Sequence, residues 1–446
     1  MTHRPAGAND GGARVVQAAA QPASRLARKL GVGDAVVIGL GAMIGAGIFA
    51  ALGPAADAAG SGLLVGLLVA ALVAYCNATS SAALASLYPE SGGTYVYGRK
   101  RLNAFWGFLA GWGFVVGKLA SCAAMALTFA YYAAPSLARP LAFAAVVAMT
   151  AVNYFGVAKT AAATRVIVVI VLSCLALVVF AAAFGGQAEL SRAKPTITVG
   201  AHAILQAAGF LFFAFAGYAR IATLGEEVAD PARTIPRAIP LALGITLVVY
   251  AAVAVTALVA AGAEGLARAP APLVAAIAGG RYSALAPAVR IGATVASLGV
   301  LLSLLAGVSR TAFAMAGNGD LPTFLASVHP RYRVPDHAEL LVGAIVAAVV
   351  LLVDIRGAIG FSSFAVLVYY AIANASALTL RRDERRRPHA IAAGGLAGCA
   401  LLAFSLPLPS VLAGGGLLAI GATVYAIRGS LGPRKRPGRY DERRRS

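Results

Sequence analysis

G-L-G-A-M-I-G-A-G-I-F, residues Gly39 to Phe49, sets four glycines inside an otherwise uninterrupted apolar run. No charged residue lies between Asp34 and Asp57, and a helix over this stretch would extend about 33 Å, enough to cross a bilayer. The centre of that helix is weak. Gly39, Gly41, Gly45 and Gly47 each lower helix stability by roughly 0.5–1 kcal/mol relative to alanine. In hydrocarbon, broken backbone is tolerated only where protein surrounds it or where it lines a cavity. The stretch therefore predicts a membrane span interrupted at a buried site. Taken alone, Gly41 to Gly45 also satisfies G-x-x-x-G, which marks close helix packing, and the run by itself leaves both readings open.

The rest of the chain fits a bilayer. Of its 446 residues, 60% are hydrophobic and 12% charged, far from the balance of a soluble domain. The 50 glycines suit membrane helices packed through small side chains, so helical spans are expected and not a barrel. A net charge of +20 raises a nucleic-acid partner as a possibility, and its distribution excludes one. With the N-terminus cytoplasmic and twelve spans, 27 of the 37 Lys and Arg fall on the cytoplasmic side, and Lys118, Arg220 and Arg310 fall within spans. That is the positive-inside asymmetry, which sets orientation without a partner. Cys76, Cys122, Cys174 and Cys399 sit singly in apolar stretches and read as packing residues, neither disulfides nor metal ligands. Residues 1–30 are polar and lack the short apolar core of a cleaved signal peptide, so they read as a disordered cytoplasmic tail.

Spans are expected at about 34–57, 61–86, 104–133, 138–155, 166–186, 200–225, 238–262, 290–316, 340–354, 357–380, 390–406 and 409–428. The third is interrupted by Lys118, and the ninth has only 14 uncharged residues between Glu339 and Asp354. Gly53 to Gly60 is expected as a short turn, and the two prolines of D-P-A-R-T-I-P-R, Asp230 to Arg237, are expected to forbid a continuous helix. Aromatics crowd around Ala214 and Gly217 in the sixth span, marking a second interruption five spans after the first. Corresponding breaks at that spacing indicate an inverted repeat. Spans one to five (about 34–186) and six to ten (about 200–380) form the two copies, helices 11 and 12 (about 390–428) are appended, and 429–446 is a basic cytoplasmic tail suited to anionic lipid. The fold class expected is an all-α polytopic membrane protein with its transmembrane domain at 31–428.

Four stretches then carry a resemblance. They are G-A-M-I-G-A-G-I-F (Gly41 to Phe49), Y-P-E-S-G-G-T-Y-V-Y-G (Tyr88 to Gly98), F-F-A-F-A-G-Y-A-R-I-A-T-L-G-E-E-V-A-D-P-A-R-T-I-P-R (Phe212 to Arg237) and S-R-T-A-F-A-M-A-G-N-G-D-L-P-T-F-L-A-S-V-H-P (Ser309 to Pro330). The chain resembles bacterial amino acid permeases and cationic amino acid transporters of the amino acid-polyamine-organocation superfamily. The resemblance implies a leucine-transporter-type 5+5 inverted repeat plus two helices, and a secondary transporter in the plasma membrane with both termini cytoplasmic. It implies a substrate held midway across the bilayer, with Ile44, Gly45, Ala46 and Gly47 at one break and Phe213, Ala214, Ala216 and Gly217 at the other. Free amides of Gly45, Ala46 and Gly47 suit a carboxylate, and carbonyls of Phe213, Ala214 and Ala216 suit an ammonium. Tyr218 matches the gating aromatic. Where many relatives carry a lysine in span five, this chain has Val171, which opens the question of the coupling ion. Lys118 is the expected replacement, because a lysine in mid-membrane is costly and functional.

The rival readings are weaker. G-A-G-I-F-A from Gly45 has no acidic residue about 20 positions on, so the dinucleotide pattern fails. Trp112 and Leu119 around Gly117 and Lys118 break the P-loop pattern. No H-E-x-x-H or G-x-S-x-G is present, which argues against an enzyme, and paired breaks suit alternating access better than an open channel. Arg220 reads as snorkelling or pairing with Glu226 and Glu227, and Arg310 as fixing the inner end of span eight. No acidic residue stands out in mid-membrane, which favours neutral or broad selectivity. The expected partners are an amino acid, a proton and lipid, with no cofactor; exchange of amino acids or amines without ion coupling stays an alternative.

Overall fold

The computed structural model describes residues 30–430 except 46, 89–91, 157–160, 195–199, 223–227, 229 and 385–386. Both tails, Ala46 and the pair Glu226 and Glu227 thus lie outside the described residues. The described chain is helical: α1 Val32–Met43, α2 Gly47–Ala59, α3 Leu63–Leu87, α4 Thr94–Arg101, α5 Ala104–Ala133, α6 Ala138–Tyr154, α7 Ala161–Phe184, α8 Ala201–Phe215, α9 Ala219–Ala222, α10 Pro231–Arg268, α11 Pro272–Ala278, α12 Ala286–Gly317, α13 Asp336–Leu352, α14 Ile355–Leu378, α15 His389–Ser405 and α16 Leu408–Ser430. Among the described residues nine helical segments are long and apolar enough to cross a membrane, while α1 and α15 are shorter apolar helices. Helix α13 has 17 residues and carries Asp336 and Glu339 in its first turn, the weakness its sequence announced.

Two expected interruptions are corrected. The segment from Gly53 to Gly60 is not a turn: α2 runs through Gly53 and Pro54 to Ala59, and the chain reverses only in a 3-10 turn at Gly60–Gly62, where Gly60 has φ +55°. Likewise Asp230 to Arg237 is not a break but the start of α10. Asp230 caps it by accepting from the Arg233 amide, and Pro231 stands at the first position, where its missing N–H was unneeded anyway. Pro236 and Pro240 lie inside the helix; each removes one backbone bond, and packing of α10 on α3 and α1 carries the helix past them. The true kink in α10 is at Gly262, φ 70° and ψ 166°.

The interior is built around the broken elements. Helices α1 and α2 pack on α10, α2 also packs on α8, α8 lies on α3, and α5 packs between α12 and α14. The faces away from this centre expose Val147, Val169, Val248, Phe404 and Leu412, an apolar surface that suits lipid and not water. Cys122, Cys174 and Cys399 are buried and all four cysteines are free thiols.

Candidate functional site

The first break lies where the glycines predicted it. Helix α1 closes at Met43, Ile44 donates its amide to Leu40 O with φ −79° and ψ 33°, and Gly45 bends before α2 resumes at Gly47. The second break is tighter. Helix α8 stops at Phe215, Ala216–Tyr218 forms one 3-10 turn, and α9 follows. The two breaks interlock. A Cβ on Gly47 would stand 2.7 Å from Ala214 Cα, and a Cβ on Gly217 would run into the Ala42 carbonyl and stand 2.7 Å from Met43 N. Each break thus supplies a glycine that lets the other's backbone approach. Gly45 differs, since its missing side chain is opposed mainly by a γ-methyl of Val300 on α12 and not by backbone.

Three tyrosines surround this junction. Tyr250 of α10 donates its hydroxyl to Ala214 O at 3.1 Å and also to Met43 O. Tyr370 of α14 donates to Ala216 O at 3.2 Å. Two of the carbonyls expected to receive an ammonium are therefore already engaged, although a carbonyl oxygen has a second lone pair. Tyr218 is fully buried and stacks on Tyr370 with centroids 4.9 Å apart; its hydroxyl finds no hydrogen-bond partner among the described residues. Phe213 is half-buried beside them. A polar pair, Asn374 donating to Asn77 at 2.6 Å, lies buried between α14 and α3.

Lys118 stands at the midpoint of α5, partly buried, on a helix tied to α14 by the Ser121 and Ser362 hydroxyls at 2.6 Å. No hydrogen bond or ion pair to Lys118 occurs among the described residues. Val171 is buried in α7, and the neighbouring Val168 packs 3.0 Å from the Cβ position of Gly41. One residue escaped the sequence reading. Glu339, placed there at the margin of the ninth span, is 3% exposed with one carboxylate oxygen unpartnered, beside Ser309 and Arg310 of α12. A buried acid is thus present, but near the start of α13 and not at the breaks. Arg310 and Arg220 are both exposed.

At the cytoplasmic end of the expected orientation, two of the quoted stretches meet. The Tyr95 hydroxyl donates to Asp320 at 2.7 Å, Arg99 pairs with the same carboxylate, Asn318 donates to Tyr95 at 2.9 Å and Arg428 donates to the Asp320 carbonyl. Burial, and then the hydrogen bond to Asp320, push the Tyr95 hydroxyl up to about 12. Helix α4 is thereby fastened to the end of α12, which Arg428 ties in turn to α16. Asp320→Asn is expected to cost about 1.5–3 kcal/mol, read as a lower melting temperature of the purified protein; an unchanged melting curve would show that this cluster is not a fastening.

A sequence profile of the family described as amino acid permease matches residues 34–427. The chain is 62% identical over 403 residues to an uncharacterized transporter of Mycobacterium tuberculosis, covering 90% of this chain and 92% of that one. It is 26% identical over 397 residues to the branched-chain amino acid permease BcaP of Bacillus subtilis, with 83% and 84% covered. To cationic amino acid transporter 4 of Mus musculus it is 28% identical over 393 residues, which cover 81% of this chain and 61% of the relative.

Proposed function

The chain belongs to the amino acid permease family, and from that premise we propose a secondary active transporter that carries an α-amino acid by alternating access. The observation that supports this reading most directly is the interlocked pair of breaks, with Gly47 against Ala214 and Gly217 against Ala42. The amides of Gly45, Ala46 and Gly47 offer donors for the substrate carboxylate, and the carbonyls of Phe213, Ala214 and Ala216 offer acceptors for its ammonium. Each charge-assisted bond contributes roughly 1.5–3 kcal/mol, so several are needed to offset dehydration of a zwitterion. Tyr218, stacked on Tyr370, closes over the substrate next to Gly217. The twelve spans form two inverted five-span repeats and two added helices, with both termini cytoplasmic in a plasma membrane.

Neutral or broad selectivity fits best, because the buried acid Glu339 belongs to α13 and not to the breaks. Proton coupling through Lys118 is the first reading of the energy source. Exchange without a coupling ion is the second, and Val171 at the family's lysine position favours it. A thermal-shift screen of the twenty amino acids tests the substrate class, since a ligand at 100 times its dissociation constant stabilises by about 2.7 kcal/mol. Saturable, trans-stimulated uptake of the hits in proteoliposomes is expected. Linear, non-saturating flux would overturn the transporter mechanism in favour of a channel.

A further inference from the structure

The geometry points to Tyr250 as a positioning residue whose hydroxyl takes the place of a bound metal cation between the two helix breaks. Met43 is the last residue of α1 and Ala214 lies in the last turn of α8. Each helix end carries about half a negative charge on carbonyls that have lost their helical partners. Here those two carbonyls converge on one point, and that point is occupied by the fully buried Tyr250 hydroxyl. Converging half-helix carbonyls in membrane transporters serve to coordinate sodium or a proton. An O–H supplied from α10 meets the same electrostatic demand and leaves no position for a metal ion.

The placement is specific to this side chain. The Tyr250 ring packs on Phe215 with centroids 5.1 Å apart, directing the hydroxyl between the two helix breaks. One turn earlier, Thr246 reaches the Met43 sulfur at 3.9 Å, so one face of α10 holds both ends of Met43. A hydroxyl has a single hydrogen to share between two acceptors. The clamp is therefore reversible, and Ala214 O can turn towards an arriving ammonium while Tyr250 keeps Met43. Two consequences follow: the breaks stay together without a metal ion, and transport needs no sodium gradient. The second rests on the breaks being the substrate site.

Tyr250→Phe removes one oxygen and keeps the ring. Hydrogen–deuterium exchange of the full chain in lipid nanodiscs, with no amino acid present, is expected to show residues 44–47 and 215–219 exchanging at least tenfold faster, with the other helices unchanged. In proteoliposomes, wild-type uptake is expected to be equal in sodium and choline media. The variant is expected to raise KM at least tenfold for every substrate, with rank order kept and maximal rate within twofold. Thr256→Val, on the same helix and bonded only within it, serves as the control. Unchanged exchange at the breaks, faster exchange across the whole chain, or sodium-dependent wild-type uptake would each overturn the inference. Absence of any amino acid uptake alongside the expected exchange pattern would overturn the permease reading and leave the clamp standing.

Discussion

Gly217→Ala is expected to abolish uptake, a fall of at least about a hundredfold or ~2.7 kcal/mol, at a stability cost of about 1–3 kcal/mol. A single methyl suffices because its position collides with the Ala42 carbonyl and comes within 2.7 Å of Met43 N, both main-chain groups that cannot rotate aside. The backbone of Gly217 does not lie in the left-handed region, so contact and not conformation demands glycine there. Gly45→Ala provides the contrast. Its methyl meets the γ-carbon of Val300, whose β-carbon stands back at 3.5 Å, and that side chain can be shortened. Uptake by Gly45→Ala is expected to be impaired and then substantially restored by Val300→Ala in the same chain. No partner substitution should restore Gly217→Ala. Initial rates in proteoliposomes, normalised to folded protein, check both statements. Wild-type uptake by Gly217→Ala would remove the close approach of the two breaks as the basis of the site.

What could be read beforehand depended on whether a feature leaves its mark on its own residues. The first break did, because Gly45 and Gly47 weaken the helix where it stops. The second was harder to delimit: Ala216–Tyr218 changes only from α to 3-10 geometry, which needs no special residue. Gly53 to Gly60 was over-read as a turn, and Pro236 as a helix breaker. A proline removes one backbone bond, and burial of Gly47–Ala59 on all but its Asp57 and Ala58 positions outweighs that local loss. The glycines at positions 47 and 217 were visible, but their reciprocal partners Ala214 and Ala42 were not, since neither partner has a distinguishing side chain. Tyr250 left no signal. It sits in an ordinary apolar helix and bonds main-chain carbonyls, one of them 207 residues away, and a backbone acceptor is silent in the sequence. Asp320 was inside a recognised stretch and Arg99 directly follows another, yet their pairing appears only once α4 is folded against the end of α12.

Lys118→Met is expected to raise thermal stability and lower transport together. An ammonium at the midpoint of α5 with no hydrogen bond or ion pair among the described residues carries an insertion cost of about 2.5–3.5 kcal/mol, and methionine of similar length removes that cost while filling the same space. If Lys118 served packing alone, the substitution would be neutral or beneficial in every measurement. If it exchanges a proton or stands in for a cation near the breaks, the charge is what the cycle uses. Uptake should then fall at least tenfold, and the dependence of uptake on external pH should flatten. The two effects separate cleanly because stability is read by thermal unfolding in detergent and transport by initial rates in liposomes at a series of pH values. Lys118→Arg sharpens the test: it keeps a charge that does not titrate in the working range, so it should retain the fold and still lose the pH response. A Lys118→Met protein that transports at the wild-type rate with the wild-type pH profile would exclude Lys118 from coupling. Exchange without a coupling ion would then become the first reading of the energy source.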